Sequence, residues 1–162
     1  MNIGVFYGST TGVTEQVAEK LGSLLDAKVF HAGDIEKILE FDTAILATST
    51  WGIGDIQDDW IGPLEKLKSL NLTGKKIGIV GVGDQEAFSS SFVNGMRDLY
   101  VAATEANATI VGSTSTDGYS FDESTAIENG KFIGLVIDES NQSNLTYGYH
   151  PVLHCLLPQL QQ

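Results

Sequence analysis

Residues 3–14 read Ile3-Gly4-Val5-Phe6-Tyr7-Gly8-Ser9-Thr10-Thr11-Gly12-Val13-Thr14. The first five form an apolar run of strand length. From Val13 onward, Val13, Val17, Leu21, Leu24 and Leu25 recur at the spacing of one helix face. The loop between them, Gly8–Thr14, carries four hydroxyls, two glycines and no charge. A strand that feeds a glycine-containing turn and then a helix N-terminus gathers backbone N–H groups and the positive end of a helix dipole at one point, which makes an anion site. The missing charge narrows the ligand. A nucleoside-triphosphate loop needs Lys followed by Ser or Thr after its second glycine, whereas Gly12 is followed by Val13-Thr14. The dinucleotide fingerprint Gly-x-Gly-x-x-Gly is absent as well. What remains is a cradle for one terminal phosphate, held by amides and hydroxyls alone. A plain strand-to-helix turn with Thr11 as N-cap would need only one hydroxyl.

Outward from this loop, strands alternate with helices. Apolar runs at 3–7, 28–30, 44–47, 77–82, 109–111 and 132–137 read as short, mostly buried strands. Trp60, Leu64 and Leu67 share a helix face, as do Phe92, Met96, Leu99 and Ala103, with Asp58 and Ser89 or Ser90 as expected N-caps. Trp60 lies on the apolar face and is expected in the core. Repeated β-α units with right-handed crossovers predict an α/β fold: a three-layer, doubly wound sandwich around a five-stranded parallel sheet, whose order, 2-1-3-4-5, is what the family resemblance of its loops implies. Its ligand crevice lies at the carboxyl ends of strands 1, 3 and 4. The polar stretch at about 115–131 is expected as an insertion in the last strand. From Tyr147 to Gln162 the chain has no Asp, Glu, Lys or Arg, an atypical tail in which Leu153, Leu156, Leu157 and Leu160 keep helical spacing around Pro158.

The chain has 162 residues, which is one domain able to bury roughly two-thirds of its unfolded surface. Cys155 is the single cysteine, so no internal disulfide forms, and three scattered histidines make no metal site. No apolar run approaches the ~18 residues of a spanning helix. The reading is a cytoplasmic monomer. With 21 acidic against 9 basic residues, the net charge is −12. That argues against nucleic acid and anionic membranes and favours basic partners met by electrostatic steering. Asp55, Asp58, Asp59, Asp84 and Glu86 concentrate this charge in or beside two further glycine-bearing segments.

Those segments carry a resemblance. Ser9-Thr10-Thr11-Gly12-Val13-Thr14 is similar to the phosphate loop of flavodoxins. Thr50-Trp51-Gly52-Ile53-Gly54 with Asp59-Trp60 resembles their first flavin loop, and Gly81-Val82-Gly83-Asp84-Gln85 with Phe88 their second. Thr116-Asp117-Gly118-Tyr119, Asn129-Gly130-Lys131-Phe132 and Asp138-Glu139-Ser140-Asn141-Gln142 resemble the region around the final strand of the long-chain members. The resemblance covers about residues 1–146 and stops at the tail.

It implies a low-potential one-electron carrier that holds FMN non-covalently, with no catalytic residue and no metal. The electrons would pass between reductases of the ferredoxin or flavodoxin NADP type and low-potential acceptor enzymes. By the same resemblance Ser9 to Thr14 hold the phosphate, and Trp51 covers the inner flavin face. Phe88, where the family usually has tyrosine, covers the outer face. Gly52, Ile53, Gly54, Thr50, Gly83, Asp84, Ser91 and Ser140 complete the contacts. The peptide after Trp51 is expected to flip toward N5–H of the reduced flavin, a motion that Gly52 makes inexpensive. Val13 replaces a commonly polar residue and offers only its amide. The alternative is an FMN-dependent quinone or nitro-compound reductase on the same fold, which would need an open cavity over the flavin. His31, His150 and His154 are far from these segments in sequence, and none is expected to serve as a base.

Overall fold

The computed structural model describes residues 2–141 and residue 158. The atypical tail, Pro158 apart, lies outside the described residues, and with it the question whether its leucines form a helix. Five positions of a parallel sheet follow one another as β2 (Lys28–His31), β1 (Ile3–Tyr7), β3 (Thr43–Trp51), β5 (Lys76–Gly83) and β10 (Leu135–Asp138). Counted as parallel strands this is the order 2-1-3-4-5. The two-residue β4 (Asp55–Ile56) turns back antiparallel on the end of β3.

The fifth position is split. Strand β6 (Thr109–Val111) pairs with Lys76–Gly78 of β5, and β10 pairs with Val80–Gly83 further along the same strand. Between them the chain builds a small antiparallel sheet of β7 (Thr114–Ser115), β9 (Lys131–Phe132) and β8 (Ile127–Glu128). The insertion expected in the last strand is thus present. The apolar run 132–137, however, is not one strand. It breaks at Ile133-Gly134, with Phe132 in the small sheet and Leu135 in the large one. A Cβ on Gly134 would overlap the carbonyl oxygen of Ile79, so only glycine lets the chain cross so close to β5.

Strands β1, β3, β5 and β10 are buried on both faces, and neighbours along each point opposite ways. Val5, Ile45 and Val80 join the cluster under α1 (Val13–Leu25), with Val17 and Leu21. Phe6, Leu46 and Ile79 join the cluster under α2 (Ile61–Ser69) and α3 (Gly95–Glu105), with Trp60, Leu67, Met96 and Leu99. Trp60 is fully buried, as expected, and its indole N–H donates to the Ala47 carbonyl at 2.9 Å. Leu24 is an exception to the expected face of α1, being 45% exposed.

The helix starts also differ from expectation. Residues 58–60 form a 3-10 turn capped by Gln57, whose side chain accepts the Asp59 N–H, and α2 follows directly; Asp58 caps nothing. Ser89–Ser91 form a separate 3-10 turn, and α3 begins only at Gly95. The reason is the insertion. The Ser89 carbonyl accepts from the amides of Asp122 and Glu123, while the Phe92 amide donates to Glu123, so these backbone groups are not available to a helix. Phe92 is buried in the expected core but precedes the helix.

Candidate functional site

The first loop leaves β1 between two fixed points. Gly8 donates to the Ala47 carbonyl at 3.2 Å, and a Cβ there would strike Gln57 Oε1 and lie 2.8 Å from Trp60 Cδ1, so a side chain is excluded. The Ser9 amide donates to Asp59 Oδ2 at 3.0 Å, and Gln57 Nε2 donates to Thr10 Oγ1 at 3.0 Å. Gly12 holds φ +93° with open space around it and precedes α1 as the cap residue, so Thr11 is not the cap. The Gly12 amide is taken by Ser9 Oγ at 3.0 Å. Among the described residues the amides of Thr10, Thr11, Val13, Thr14 and Glu15 meet no acceptor. Unpaired amides at a helix start are what an anion needs.

The second loop is the β3–β4 hairpin turn. Gly52 (φ +57°) and Gly54 (φ +111°) both take left-handed backbone, and the Gly54 amide donates to the Trp51 carbonyl at 3.2 Å. Trp51 is 39% exposed, with its indole N–H held by Ser49 Oγ at 3.0 Å. The Thr50 hydroxyl accepts the Gly95 amide at 2.9 Å, tying this loop to the start of α3. In the third loop Asp84 Oδ1 accepts the amides of Glu86 and Ala87, both at 2.9 Å, and its carbonyl accepts the Phe88 amide at 3.0 Å. This turn leaves Phe88 44% exposed.

All three loops meet in one cleft of about 110 Å3 at the carboxyl ends of β1, β3 and β5. Thr11, Val13 and Thr14 line it from the first loop, Thr50 and Trp51 from the second, and Gly83, Asp84 and Phe88 from the third. Gly52, Ile53 and Ser91 border a neighbouring hollow of about 280 Å3 beyond Phe88. The remaining expected residues lie outside the lining of both hollows. Ser9 and Thr10 are engaged by Asp59 and Gln57, Gly12 shapes the turn, and Gly54 abuts Asn94. The Ser140 hydroxyl donates to the buried carboxylate of Asp138 at 2.8 Å.

Sequence reasoning missed Ser49, Val82 and Glu139 in the lining. Ser49 and Val82 were legible as strand-end neighbours of Thr50 and Gly83, while Glu139 follows the last strand. It also missed His31, whose Nε2 lies 3.1 Å from Asp59 Oδ2.

The cleft is electrostatically negative, with Asp84 and Glu139 in its lining and no Lys or Arg. Burial, and then the charges of Asp84 and Asp138, push the Glu139 carboxyl above its ordinary range. Asp59 goes the other way. Burial alone would raise it, but the Ser9 amide, His31 and Gln57 together hold it below the ordinary range.

Fold and cleft together define a class: doubly wound α/β domains that take a phosphorylated ligand at the carboxyl ends of the central strands. A family model for flavodoxins matches residues 5–150. The chain is 42% identical over 147 residues to a flavodoxin of Helicobacter pylori, covering 89% of this chain and 88% of that one. It is 37% identical over 150 residues to a flavodoxin of Synechocystis, with the same shares covered. A solved structure of Fusobacterium nucleatum flavodoxin bound to flavin mononucleotide aligns with a TM-score of 0.84 at 41% identity, over 90% of this chain and 89% of that one. This chain belongs to the flavodoxin family.

Proposed function

We propose that this chain is a single-domain, low-potential one-electron carrier that holds FMN non-covalently. The observation that carries this reading is the convergence of three sequence-distant loops on one cleft flanked by Trp51 and Phe88. The Fusobacterium nucleatum relative, which is bound to flavin mononucleotide, supports it.

The residues present fit that group. Five unpaired amides and the hydroxyls of Thr11 and Thr14 offer a terminal phosphate charge-neutral donors, each worth about 1.5–3 kcal/mol when the acceptor is ionised. Ser9, Thr10 and Gly12 hold those donors in place, and Val13 adds its amide. Trp51 and Phe88 offer flat aromatic faces to a flat ring, worth about 0.5–1.5 kcal/mol each beyond area burial. Thr50 and Gly83 line the cleft, Gly52, Ile53 and Ser91 border the hollow beside it, and Gly54 and Ser140 support these walls from outside the lining. At about 110 Å3 the cleft encloses only part of a nucleotide-sized ligand, against roughly 300–1,000 Å3 for enclosing pockets. The half-exposed Trp51 and Phe88 would leave part of a bound ring to solvent, which suits electron transfer to a docked protein better than turnover of a small substrate.

When bound, FMN supplies the one-electron redox chemistry. The chain biases it through fixed charge: a carboxylate at ~10 Å opposes added negative charge by about 0.4 kcal/mol in water-like dielectric, and more where protein excludes solvent. Asp84 and Glu139 both act in this sense, which lowers the potential at which negative charge accumulates. The partners in this reading are flavoprotein reductases of the NADP type and low-potential acceptor enzymes, met by a monomer in the cytoplasm.

Acid precipitation of the purified yellow protein should release one FMN per chain, identified by chromatography of the supernatant. FAD in its place would overturn the single-phosphate cradle. A colourless protein that takes up no FMN would sink the carrier. Steady reduction of quinones or nitro-compounds at the expense of a nicotinamide would favour the reductase.

A further inference from the structure

The turn at Gln57–Asp59 grips two successive cradle residues, and it is itself gripped from behind. Gln57 holds Thr10 Oγ1 and accepts the Asp59 amide at 2.9 Å, while Asp59 Oδ2 holds the Ser9 amide. Behind Asp59 stands His31, at the end of β2. Its Nδ1 accepts the Gly33 amide at 3.0 Å, so the neutral ring carries its proton on Nε2, the nitrogen 3.1 Å from Asp59 Oδ2. The Tyr7 ring stands edge-on to the imidazole at 5.7 Å and limits its swing.

We infer that His31 is a positioning residue for the phosphate cradle, acting through Asp59. The inference rests on the FMN reading above. A carboxylate one hydrogen bond behind an anion site is a liability, because its charge repels the phosphate that the amides attract. The Nε2–H of His31 draws that charge away from the cradle and pins Oδ2 on the Ser9 amide. Ser9 then holds the Gly12 amide through its hydroxyl, and Gly12 sets the start of α1. A histidine in β2 thereby acts on the phosphate cradle through Asp59, Ser9 and Gly12 without touching it. Its side chain is 48% exposed and that of Asp59 33%, so the effect is modest and screened by salt.

The test is equilibrium titration of the flavin-free, full-length chain with FMN and, separately, with riboflavin, which lacks the phosphate. His31→Phe removes the donor and keeps a ring; His31→Gln keeps an N–H donor at nearly the same reach. The FMN Kd should rise about three- to tenfold in His31→Phe while riboflavin binding stays put, and His31→Gln should stay within about twofold of wild type for both. Equal loss for both flavins would show a merely structural role and overturn the inference. So would unchanged FMN affinity in His31→Phe, or a Gln variant as weak as the Phe variant. A wild-type chain that binds neither flavin would overturn the FMN reading itself, a result separate from any variant.

Discussion

Gly52 and Glu139 act at the residue scale, one through backbone and one through charge. Gly52 already sits at φ +57°, and a Cβ there would lie 3.1 Å from Asp55 Oδ2. Valine at this position is strained by about 1–2 kcal/mol. Gly52→Val should therefore lower the thermal midpoint and narrow the gap between the two one-electron reduction potentials, read by spectroelectrochemical titration. An unchanged gap would mean that the flip expected at this peptide occurs at another one or not at all. Glu139 is held above the ordinary glutamate range by burial and by Asp84 and Asp138. The unfolded chain ionises it within that range, so the folded state binds its proton more tightly. Stability should then fall as pH rises from the ordinary range through the raised folded value. Glu139→Gln removes this penalty. Its unfolding midpoint should exceed that of wild type near pH 7 and converge with it below about pH 3, where both states are protonated. A variant less stable at neutral pH would contradict the sign.

At the scale of elements, the split fifth position depends on one close approach. Gly134→Ala would drive a methyl into the Ile79 carbonyl and toward Met96 Cε at 3.1 Å. Overpacking of this kind costs about 1–3 kcal/mol, and it pushes β10 from β5, carrying Asp138 and Glu139 with it. Urea unfolding should show the loss, and FMN should bind more weakly. Unchanged stability and FMN affinity in Gly134→Ala would mean that β10 has slack to give.

Charge acts at the scale of the whole molecule. A net charge of −12, with Asp55, Asp58, Asp84 and Glu86 in or beside the second and third loops, should steer basic reductases toward the cleft. Second-order electron-transfer rates with a flavoprotein reductase should drop as the Debye length shrinks from ~10 Å at 0.1 M salt to ~3 Å at 1 M. Asp58 and Glu86 are the acids to remove, because both are exposed, whereas Asp59 is committed to Ser9 and His31. Asp58→Asn with Glu86→Gln should flatten the salt dependence. Salt-independent rates in wild type would refute steering and leave docking to the apolar surface around Ile53, which is 94% exposed.

The amino-acid order alone determined the alternation of strands and helices, the insertion and the three loops, while the strand order came from the family resemblance that those loops carry. The first three are written in short-range pattern: apolar runs, helical spacing, and glycines where backbone must turn. Eight of the expected contacts, Thr11, Val13, Thr14, Thr50, Trp51, Gly83, Asp84 and Phe88, line a single cleft for that reason. Where the pattern misled, long-range pairing had decided. The run 132–137 is apolar throughout, and only the competition between β5 and the small sheet for its backbone groups cuts it at Gly134. Ser89 and Ser90 look like caps until the insertion claims the Ser89 carbonyl. Leu24 keeps helical spacing, yet no layer reaches it. Glu139 enters the cleft because β10 ends beside Gly83, whose carbonyl accepts the Glu139 amide at 2.7 Å. His31 is 22 residues before the first flavin loop's Ile53 and 28 before Asp59 along the chain, but the parallel pairing of β2 with β1 sets its side chain against Asp59. Side-chain partners across layers carry no local signature, so only the tertiary structure could supply them.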